Sequence, residues 1–554
     1  MHCQECKKIF QITPNDEIFY RRLALPKPTF CPPCRLRRRL AWRNEHSLYQ
    51  RSCDLCNKTI ISIYRPDSPY LVYCQPCWWS DQWEPRKYAR DYDWSKDFFT
   101  QYNELRHAVP RVALTNTNSE NSEYTNYSGN NKNCYLMFAN ALGENENCAY
   151  GVGSGKCHDC YDTVNVYESE LVYDCTDSKH CHRVVGAVNC QNCTESWYLE
   201  DCSNCQNCVA CKGLRNKQYC IFNKQYSAAE FAEQLKIIQL NTFSGMSALQ
   251  KQWQQFRLTV PNRFSHQLQT ENCTGDYIYN SVNCTTCFDV NETEQSKFIK
   301  FSISQVKESY DVSYTATTEL GYDSLSLVDS YNCRFCNITW WSVRDLEYCE
   351  LCFNSAKCFG SIGLRKQNYC ILNKQYEAAE YHTLVKRIIE QMNIRPYVAR
   401  SGTIYRYGEF PPVEHSPFTH SESVAEDYFP TTQSAIRAQS DQVTKLTDSI
   451  VDVVDNILQQ TLTCLRCSKA YKLIPAELDF YRKMSLPIPR YCFNCRHQAR
   501  LGQKNSIQLW PRQCMCLLDS HKHAKPCPQQ FETTYSPERQ EIVYCEQCYN
   551  QEMF

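Results

Sequence analysis

Glycine and methionine are scarce in this chain of 554 residues, which contains 15 glycines and 7 methionines. So little glycine excludes a collagen-like chain and argues against a disordered one. The apolar runs fall well short of the about 20 residues that cross a membrane, and Met1–Phe10 lacks the apolar stretch of a secretion signal. We therefore expect several domains, no membrane segment and a cytoplasmic location.

The sequence also lacks the common signatures of catalysis. It contains no Walker loop, no GxGxxG after a strand, no nucleophile elbow, no HExxH and no HxE…PCxxC deaminase pattern. No motif points to a small-molecule substrate. We therefore predict that the protein is not an enzyme.

Cysteine, in contrast, is abundant, with 39 copies. A cysteine-rich chain without a secretion signal is more often reduced and metal-binding than cross-linked by disulfides. Many of these cysteines lie in an internal repeat that brackets the chain at a constant offset of 461 residues. "CQECKKIFQITPNDEIFYRRLALPKPTFCPPCR" begins at Cys3, and "CLRCSKAYKLIPAELDFYRKMSLPIPRYCFNCR" begins at Cys464.

Both copies of this repeat have the spacing Cys-x2-Cys-x24-Cys-x2-Cys. Two such pairs supply the four thiolates that suit tetrahedral Zn(II). The predicted ligands are Cys3, Cys6, Cys31 and Cys34 in the N-terminal copy and Cys464, Cys467, Cys492 and Cys495 in the C-terminal copy. A first pair on a hairpin turn and a second pair opening a helix predict a treble clef.

A second cysteine cluster follows each copy, and together the clusters predict at least four Zn(II) ions per chain. The N-terminal cluster is Cys53, Cys56, Cys74 and Cys77, with zinc-ribbon spacing. The simplest C-terminal match is one zinc held by Cys514, Cys516, Cys545 and Cys548. Two alternatives stay open, because His521, His523 and Cys527 lie in between: one of them replaces a thiolate, or a second metal binds there.

The terminal modules resemble the treble-clef-like zinc-binding domain family of bacteria. The resemblance rests on the CxxC pairs, Phe10, Phe19-Tyr20, the prolines and the closing Cys-Pro-x-Cys-Arg, over about 40 residues at each end. Phe493 stands where the closing motif has proline. The resemblance implies bound zinc and little about activity.

The long middle, residues 119–223 and 270–373, has a different character. Asn-Cys occurs nine times, and several cysteines recur twelve residues apart, such as Cys148 and Cys160. Asn tolerates the left-handed backbone of tight corners, and Cys packs as a small apolar residue. The pattern predicts a duplicated β-solenoid, with a string of small zinc knuckles as the alternative.

The middle cysteines leave two interpretations open, core packing without metal or additional metal sites. The candidates for additional sites are Cys190, Cys193, Cys202, Cys205, Cys333, Cys336, Cys349 and Cys352. The two middle stretches end alike, in "LRNKQYCIFNKQYSAAEF" from Leu214 and "LRKQNYCILNKQYEAAEY" from Leu364. Each ending is followed by a predicted amphipathic helix, near Ala228–Leu240 and Ala378–Met392.

The predicted fold is therefore mainly β with small helices, in which treble-clef and zinc-ribbon modules flank a duplicated cysteine-rich β-solenoid. The predicted boundaries are an N-terminal module at 1–95, a linker helix at 96–118, solenoid halves at 119–225 and 269–393, a helical insert at 226–268, an extended arm with an amphipathic helix at 394–460, and a C-terminal module at 461–554.

The formal net charge is zero, but the charge is unevenly distributed. Residues 1–60 carry +7 and residues 461–513 carry +8, so the remainder carries −15. The basic residues concentrate on the helix that follows each closing CxxC. They are Arg35, Arg37, Arg38, Arg39 and Arg43 at one end and Arg496, Arg500 and Lys504 at the other.

Two functions follow from this charge pattern. Zinc modules on an acidic middle predict a scaffold or assembly protein, with another protein or a second copy as the partner. The basic helices, with aromatic residues nearby, predict RNA or DNA binding as the alternative. In its terminal modules and in "FETTYSPERQEIVYCEQCY", the whole chain resembles cysteine-rich zinc-ribbon proteins of uncultured small-genome bacteria. That resemblance implies no activity.

Overall fold

The computed structural model describes residues 1–140, 143–431, 446–521 and 523–553 of a mainly β chain. The chain divides into two compact units. The N-terminal unit combines Met1–Leu114 with Ser265–Thr431, and the C-terminal unit combines Thr115–Phe264 with Thr432–Phe554. Each terminal module therefore folds with the half of the middle that is more distant in sequence.

The C-terminal unit contains a nine-stranded ladder, called here the 135–225 ladder. Its strands are Tyr135–Phe138, Ala149–Val152, His158–Tyr167, Glu170–Lys179, His182–Val185, Thr194–Glu200, Gln206–Lys212, Gln218–Ile221 and Lys224–Gln225. All neighbours are parallel except the last pair. Glu170 pairs with both His158 and His182, so these strands are offset by twelve residues, as are the other parallel pairs except the first, in which Tyr135 pairs with Ala149.

A three-residue period runs through this ladder. Residues such as Asn189, Asn192 and Glu195 have positive φ, and the residue after each points into the core. All nine asparagines of the Asn-Cys pairs in the middle stretches of the chain have positive φ, which asparagine tolerates better than most residues. The core position then takes mainly a small residue, and 13 of the 19 described buried residues in the apolar core of this ladder are Cys.

The N-terminal unit contains a thirteen-stranded ladder that is also mainly parallel, with offsets of 11 to 13 residues between paired strands, called here the 267–375 ladder. Its strands are Gln267–Glu271, Gly275–Val282, Cys287–Asn291, Thr293–Glu294, Lys300–Ser302, Val306–Lys307, Tyr310–Glu319, Tyr322–Tyr331, Asn337–Glu347, Glu350–Phe353, Ala356–Phe359, Asn368–Ile371 and Lys374–Gln375. The register shifts by one residue between Val328 and Ser330.

Both ladders end in an antiparallel strand followed by a helix. Lys224–Gln225 pairs with Gln218–Ile221, and Lys374–Gln375 pairs with Asn368–Ile371. Such an ending covers the open edge of the ladder. The following helices are Ala228–Ile238 and Phe243–Phe256 in one unit and Ala378–Ile394 in the other. Ser227 and Glu230 form a capping box that starts the first of these helices.

The remaining elements are short. Other helices are Pro14–Arg22, Pro32–Leu40, Gln75–Trp79, Phe98–Ala108 and Val424–Tyr428 in the N-terminal unit and Pro475–Met484, Phe493–Leu501 and Glu546–Met553 in the C-terminal unit. Antiparallel hairpins pair Tyr49–Ser52 with Thr59–Ser62, Tyr397–Val398 with Ile404–Tyr405, Leu462–Thr463 with Ala470–Tyr471, and Trp510–Gln513 with Gln530–Thr533. Parallel pairs join Val72–Tyr73 to Arg111–Val112, Asn116–Thr117 to Ser128–Gly129, and Asn262–Arg263 to Val543–Tyr544.

The predicted amphipathic helix at 441–460 is not formed over its described part. Residues 441–445 lie outside the described residues, and 446–460 contain two 3₁₀ segments, Ile450–Asp452 and Asp455–Gln459. Ile450 and Ile457 are buried against the C-terminal module. This segment is rich in β-branched residues and aspartate, which favour a helix weakly, so packing of single side chains decides its path.

Among the described residues, no helix has both the length and the apolar character that a bilayer crossing requires.

Candidate metal centres and docked basic helices

Three groups of four cysteines have the geometry of tetrahedral thiolate sites. They are Cys3, Cys6, Cys31 and Cys34; Cys53, Cys56, Cys74 and Cys77; and Cys464, Cys467, Cys492 and Cys495. Within each group all four sulfur atoms lie within 4.8 Å of one another. Sulfur–sulfur distances of 3.6, 3.9 and 3.6 Å occur in the three groups. Tetrahedral Zn–S bonds of about 2.3 Å require about 3.8 Å, so these residues fit zinc.

The same local backbone builds each site. The N–H of Cys3 donates to the carbonyl of Lys8, and Lys7 between them has positive φ. Cys53 and Cys464 make the equivalent bond at the start of the other two sites. The second pair of each site then begins a helix, which starts at Pro32 after Cys31 in the first site. The turn and the helix start bring four thiols together from two CxxC segments.

Backbone hydrogen bonds favour thiolate at the first ligand of two sites. Burial opposes this effect, but N–H groups led by that of Cys74 lower the pKa of Cys53 to about 7. Burial likewise opposes the effect at Cys464, where N–H groups led by that of Cys492 lower the pKa to about 6. Thiolate is the form that binds a metal, so these two ligands are prepared for it near neutral pH.

At the fourth predicted site the structure brings together a different set of four cysteines, which matches one of the two alternatives that the sequence left open. The structure groups Cys514 with Cys527, Cys545 and Cys548, and Cys516 is not in this set. The hairpin explains the exchange: six residues, 53–58, connect its two strands in the N-terminal module and sixteen, 514–529, in the C-terminal module. Cys53 donates to Lys58, and Cys514 donates to Gln529. Cys56 and Cys527 each lie two residues before that acceptor, so Cys527 takes the place of Cys56.

The ten extra residues bring a second set of donors to the same place. Cys516, His521 and His523 lie with Cys548 in a further group whose ligand atoms are within 4.8 Å of one another. Cys516 Sγ is 3.1 Å from His521 Nδ1, and Cys548 Sγ is 3.2 Å from His523 Nε2. The sequence held a signal for this arrangement, because the closing pair, Cys545 and Cys548, has an offset of 471 from the N-terminal module instead of 461.

The middle cysteines have the contacts of packed thiols. Cys190, Cys193, Cys202 and Cys205 are buried in the core of the 135–225 ladder, and Cys333, Cys336, Cys349 and Cys352 are buried in that of the 267–375 ladder. Their S–H groups donate to backbone carbonyls, for example Cys336 to Arg334 at 3.1 Å and Cys349 to Cys358 at 3.4 Å. These bonds favour core packing over additional metal sites.

The basic helix Pro32–Leu40 faces the interior of the N-terminal unit. Arg35 Nη2 lies 2.7 Å from Asp311 Oδ2. Arg39 Nη1 lies 2.6 Å from Asp323 Oδ1 and 3.2 Å from Asp311 Oδ1. No more than 2% of any of these four side chains is exposed. The guanidinium groups that the sequence analysis predicted as nucleic-acid contacts are therefore paired with carboxylates of the 267–375 ladder.

The other basic residues of this helix differ in exposure. Arg38 is buried over the ring of Phe30 at 3.9 Å and donates to the carbonyl of Phe410 at 2.6 Å. Arg43, just after the helix, is buried and donates to Ser326 Oγ at 2.7 Å. Arg37 has a 40% exposed side chain and pairs with Glu5. Arg37 is thus the solvent-facing arginine of the five predicted.

The C-terminal unit repeats the docking with its own helix, Phe493–Leu501. Arg496 Nε lies 3.2 Å from Asp162 Oδ2. Arg500 Nη2 lies 2.8 Å from Asp162 Oδ1, and its Nη1 lies 3.1 Å from Asp174 Oδ1. Both arginines are buried, so they too face the ladder of their own unit.

Equivalent residues make these contacts in the two units. An offset of 461 relates the helices, and an offset of 149 relates Asp162 to Asp311 and Asp174 to Asp323. Three further contacts follow the same offsets. They are the stacked rings of Phe19 on Tyr310 and Phe480 on Tyr161, the surface pairs of Arg22 with Glu308 and Lys483 with Asp159, and the contacts of Arg43 with Ser326 and Lys504 with Asp177.

The sequence analysis did not identify the acidic partners of these arginines. Asp162, Asp174, Asp311 and Asp323 have positive φ at the corner positions of the ladders. Two such residues twelve apart lie on neighbouring strands and form a column of carboxylates. The twelve-residue spacing and the repeated Tyr-Asp at 161–162 and 310–311 were the available signals.

Comparisons with known proteins add no family. No family model matches this sequence, and no curated protein matches it. One of the solved structures with partial similarity is a protein from Desulfovibrio desulfuricans G20, provisionally assigned as an acetyltransferase. The match has 9% identity, covers 42% of this chain and 65% of that chain, and has a TM-score of 0.10. Neither a fold nor an activity is transferred from it.

Proposed function

We propose that this protein is a non-enzymatic scaffold in which zinc-held treble-clef modules brace the two halves of a β-solenoid. The observation that carries the proposal is the duplicated interface between basic helix and carboxylate column. Arg39 on Asp311 and Arg500 on Asp162 are buried ion pairs between a module and a ladder. Loss of one partner of such a pair leaves a buried charge, so each module is bound to one specific position on its ladder.

The pairing pattern supports a solenoid over a string of zinc knuckles. Most coils have twelve residues and the others have 11, 13 or 14. The chain turns a corner at about every third residue, and a core residue follows the corner. Stacked asparagines link successive coils at the corners, as when Asn192 Nδ2 donates to Asn204 Oδ1 at 3.0 Å. A coil this narrow admits mainly small side chains, which accounts for the cysteine without any metal.

The terminal sites support zinc with a structural role. The groups of four cysteines leave no open position for a substrate on a tetrahedral ion, as in structural zinc sites. Small modules with limited cores depend on such an ion for stability. A hairpin turn with two ligands and a helix start with two more support the treble-clef assignment.

The partner of the scaffold is another protein or a second copy of this chain. The nucleic-acid alternative depended on Arg35, Arg37, Arg38, Arg39, Arg43, Arg496, Arg500 and Lys504. All of these side chains except Arg37 contact buried groups of their own unit, and Arg37 is 40% exposed. The reduced thiols on which the scaffold depends agree with the cytoplasmic location expected from the sequence.

The test compares nucleic-acid binding with self-association for the zinc-loaded full chain. Labelled single- and double-stranded RNA and DNA are titrated across a salt series, and sedimentation velocity is measured over a range of protein concentrations. A scaffold predicts concentration-dependent association and no tight nucleic-acid binding. A monomer that binds nucleic acid tightly, with a steep salt dependence that Arg37→Ala or Arg39→Ala weakens, would contradict the proposal.

A further inference from the structure

Seven potential metal ligands meet around one hairpin of the C-terminal module. Five are cysteines and two are histidines: Cys514, Cys516, Cys527, Cys545, Cys548, His521 and His523. They form two groups of four, and Cys548 belongs to both. The cysteines and His521 are buried, and His523 is half-buried.

We propose that this hairpin binds two zinc ions bridged by the Cys548 sulfur. One ion takes Cys514, Cys527, Cys545 and Cys548, and the other takes Cys516, His521, His523 and Cys548. Two tetrahedral ions have eight positions, and seven ligands fill them when one thiolate is shared. A thiolate has enough lone pairs to bind two ions, whereas a neutral imidazole has a free lone pair on only one nitrogen and binds one ion.

The second group has the donor orientation that a metal needs. His521 presents Nδ1 to Cys516 Sγ, and His523 presents Nε2 to Cys548 Sγ. The other nitrogen of His523 lies 2.9 Å from the carbonyl oxygen of Ala524. Such a contact selects the tautomer of a ligating imidazole and orients its ring. One ion alone would leave Cys516, which is fully buried, without a role among three other donors.

The charge balance of the pair is modest. Five thiolates and two neutral imidazoles with two Zn²⁺ give a net charge of −1. Five thiol protons pass to solvent when the ions bind.

The N-terminal module has one site at the equivalent hairpin, because its six-residue connection carries only Cys53 and Cys56. The chain then holds five zinc ions, of which two share the C-terminal hairpin, and this inference does not depend on the proposed scaffold function.

Metal content tests the second ion. Loosely bound metal is removed from the zinc-loaded full chain, and the zinc content per chain is measured by inductively coupled plasma mass spectrometry. Five ions per chain are expected in the wild type and four in His521→Ala/His523→Ala. The control is His158→Ala/His180→Ala, which removes two exposed histidines of the 135–225 ladder and should retain five. Four ions in the wild type, or five in the first double variant, would overturn the second site.

Cadmium substitution tests the bridge. In ¹¹³Cd NMR of the fully substituted chain, five resonances are expected, and two should split each other through the shared sulfur. In His521→Ala/His523→Ala one of the two should vanish and the other should become unsplit, which also shows that the hairpin remains folded. Five resonances without mutual splitting would overturn the bridge by Cys548.

Discussion

The two terminal modules dock alike but end differently. Arg39 and Arg500 reach equivalent aspartates, and Phe19 and Phe480 stack on equivalent tyrosines. Beyond the docked helix, the described part of the N-terminal hairpin contributes to a group of four potential metal ligands that includes Cys53, and the C-terminal hairpin contributes to two groups of potential ligands that share Cys548. The comparison teaches that the interface restrains the helix, while the distant hairpin can accept an insertion.

The largest expected effect is loss of a terminal zinc. Cys31→Ser removes a ligand from the first group of four cysteines, and structural zinc contributes about 10–16 kcal/mol of apparent binding energy in small modules. We expect one ion fewer per chain and rapid proteolysis of the N-terminal module, with the 267–375 ladder still protected. Metal analysis and limited proteolysis measure this.

The matched variant Cys492→Ser should likewise lose one ion per chain and make the C-terminal module, rather than the N-terminal module, sensitive to protease. Cys273→Ser in the 267–375 ladder is the control that should keep all ions. If metal content and N-terminal protease resistance both survive Cys31→Ser, the first site is wrongly assigned.

A smaller loss is expected when the carboxylate column is broken. Asp311→Ala leaves Arg35 and Arg39 with one fewer buried partner, and breaking a buried ion pair costs about 3–5 kcal/mol. Denaturant unfolding of the N-terminal unit should report that decrease in the free energy of unfolding. Asp162→Ala should do the same in the C-terminal unit.

The exposed pair at the edge of the same interface provides the contrast. Glu308→Gln breaks the contact with Arg22, whose side chain is half exposed, and such pairs contribute about 0–1 kcal/mol. Equal effects of Asp311→Ala and Glu308→Gln would contradict the view that the buried column holds the helix.

The N-terminal unit contains a further buried ion pair, between Glu350 and the two arginines Arg106 and Arg111, and acid should weaken it. Burial opposes ionisation of Glu350, but Arg106 and Arg111 lower its pKa to about 2. Since the folded pKa lies below the unfolded value of about 4.3, the stabilisation is present above pH 4.3 and is lost as the pH falls toward 2. The shift corresponds to about 3 kcal/mol.

The measurement compares the wild type with Glu350→Gln at each pH, because the thiolates also protonate in acid. The difference in free energy of unfolding should be largest above pH 5 and should shrink toward pH 2. A difference that is constant over this range would show that the ionised form of Glu350 is not what stabilises the unit.

The smallest expected effect concerns a single ladder corner. Asn204 has a φ of 52° and accepts a hydrogen bond from Asn192. Alanine is disfavoured in this conformation by about 1–2 kcal/mol, whereas glycine adopts it freely. Asn204→Ala should therefore lower the stability of the C-terminal unit by about 1 kcal/mol or more, and Asn204→Gly should lower it less. Thermal unfolding of both variants measures the order, and the reverse order would contradict the corner assignment.

The sequence predicted the ligands that lie close together in the chain. CxxC pairs at a constant spacing identified Cys3, Cys6, Cys31 and Cys34, because two knuckles of known geometry suffice for a tetrahedral site. It assigned Cys516 to the group of Cys514, because the spacing from Cys514 was read without the ten-residue change of offset that Cys545 shows, whereas the structure groups Cys527 with Cys514. A hairpin connection can lengthen without moving its strands, and only the strand register shows where the insertion lies.

The docking of the basic helices could not be predicted from local pattern. Arg39 and Asp311 are 272 residues apart, and a run of arginines has the same sequence appearance whether it faces solvent, nucleic acid or carboxylates. The half of the middle that each module contacts is decided by the complementarity of whole surfaces. The corner asparagines, in contrast, were predictable because left-handed backbone is a preference of the residue itself.

The most direct test of the central claim is a double-mutant cycle on the docked helix. Unfolding free energies are measured for the wild type, Arg39→Ala, Asp311→Ala and the double variant, with Arg37→Ala in place of Arg39→Ala as the control cycle. The account predicts a coupling of more than about 1 kcal/mol between Arg39 and Asp311 and none between Arg37 and Asp311. Equal, negligible couplings in both cycles would show that the helix is not held by the carboxylate column.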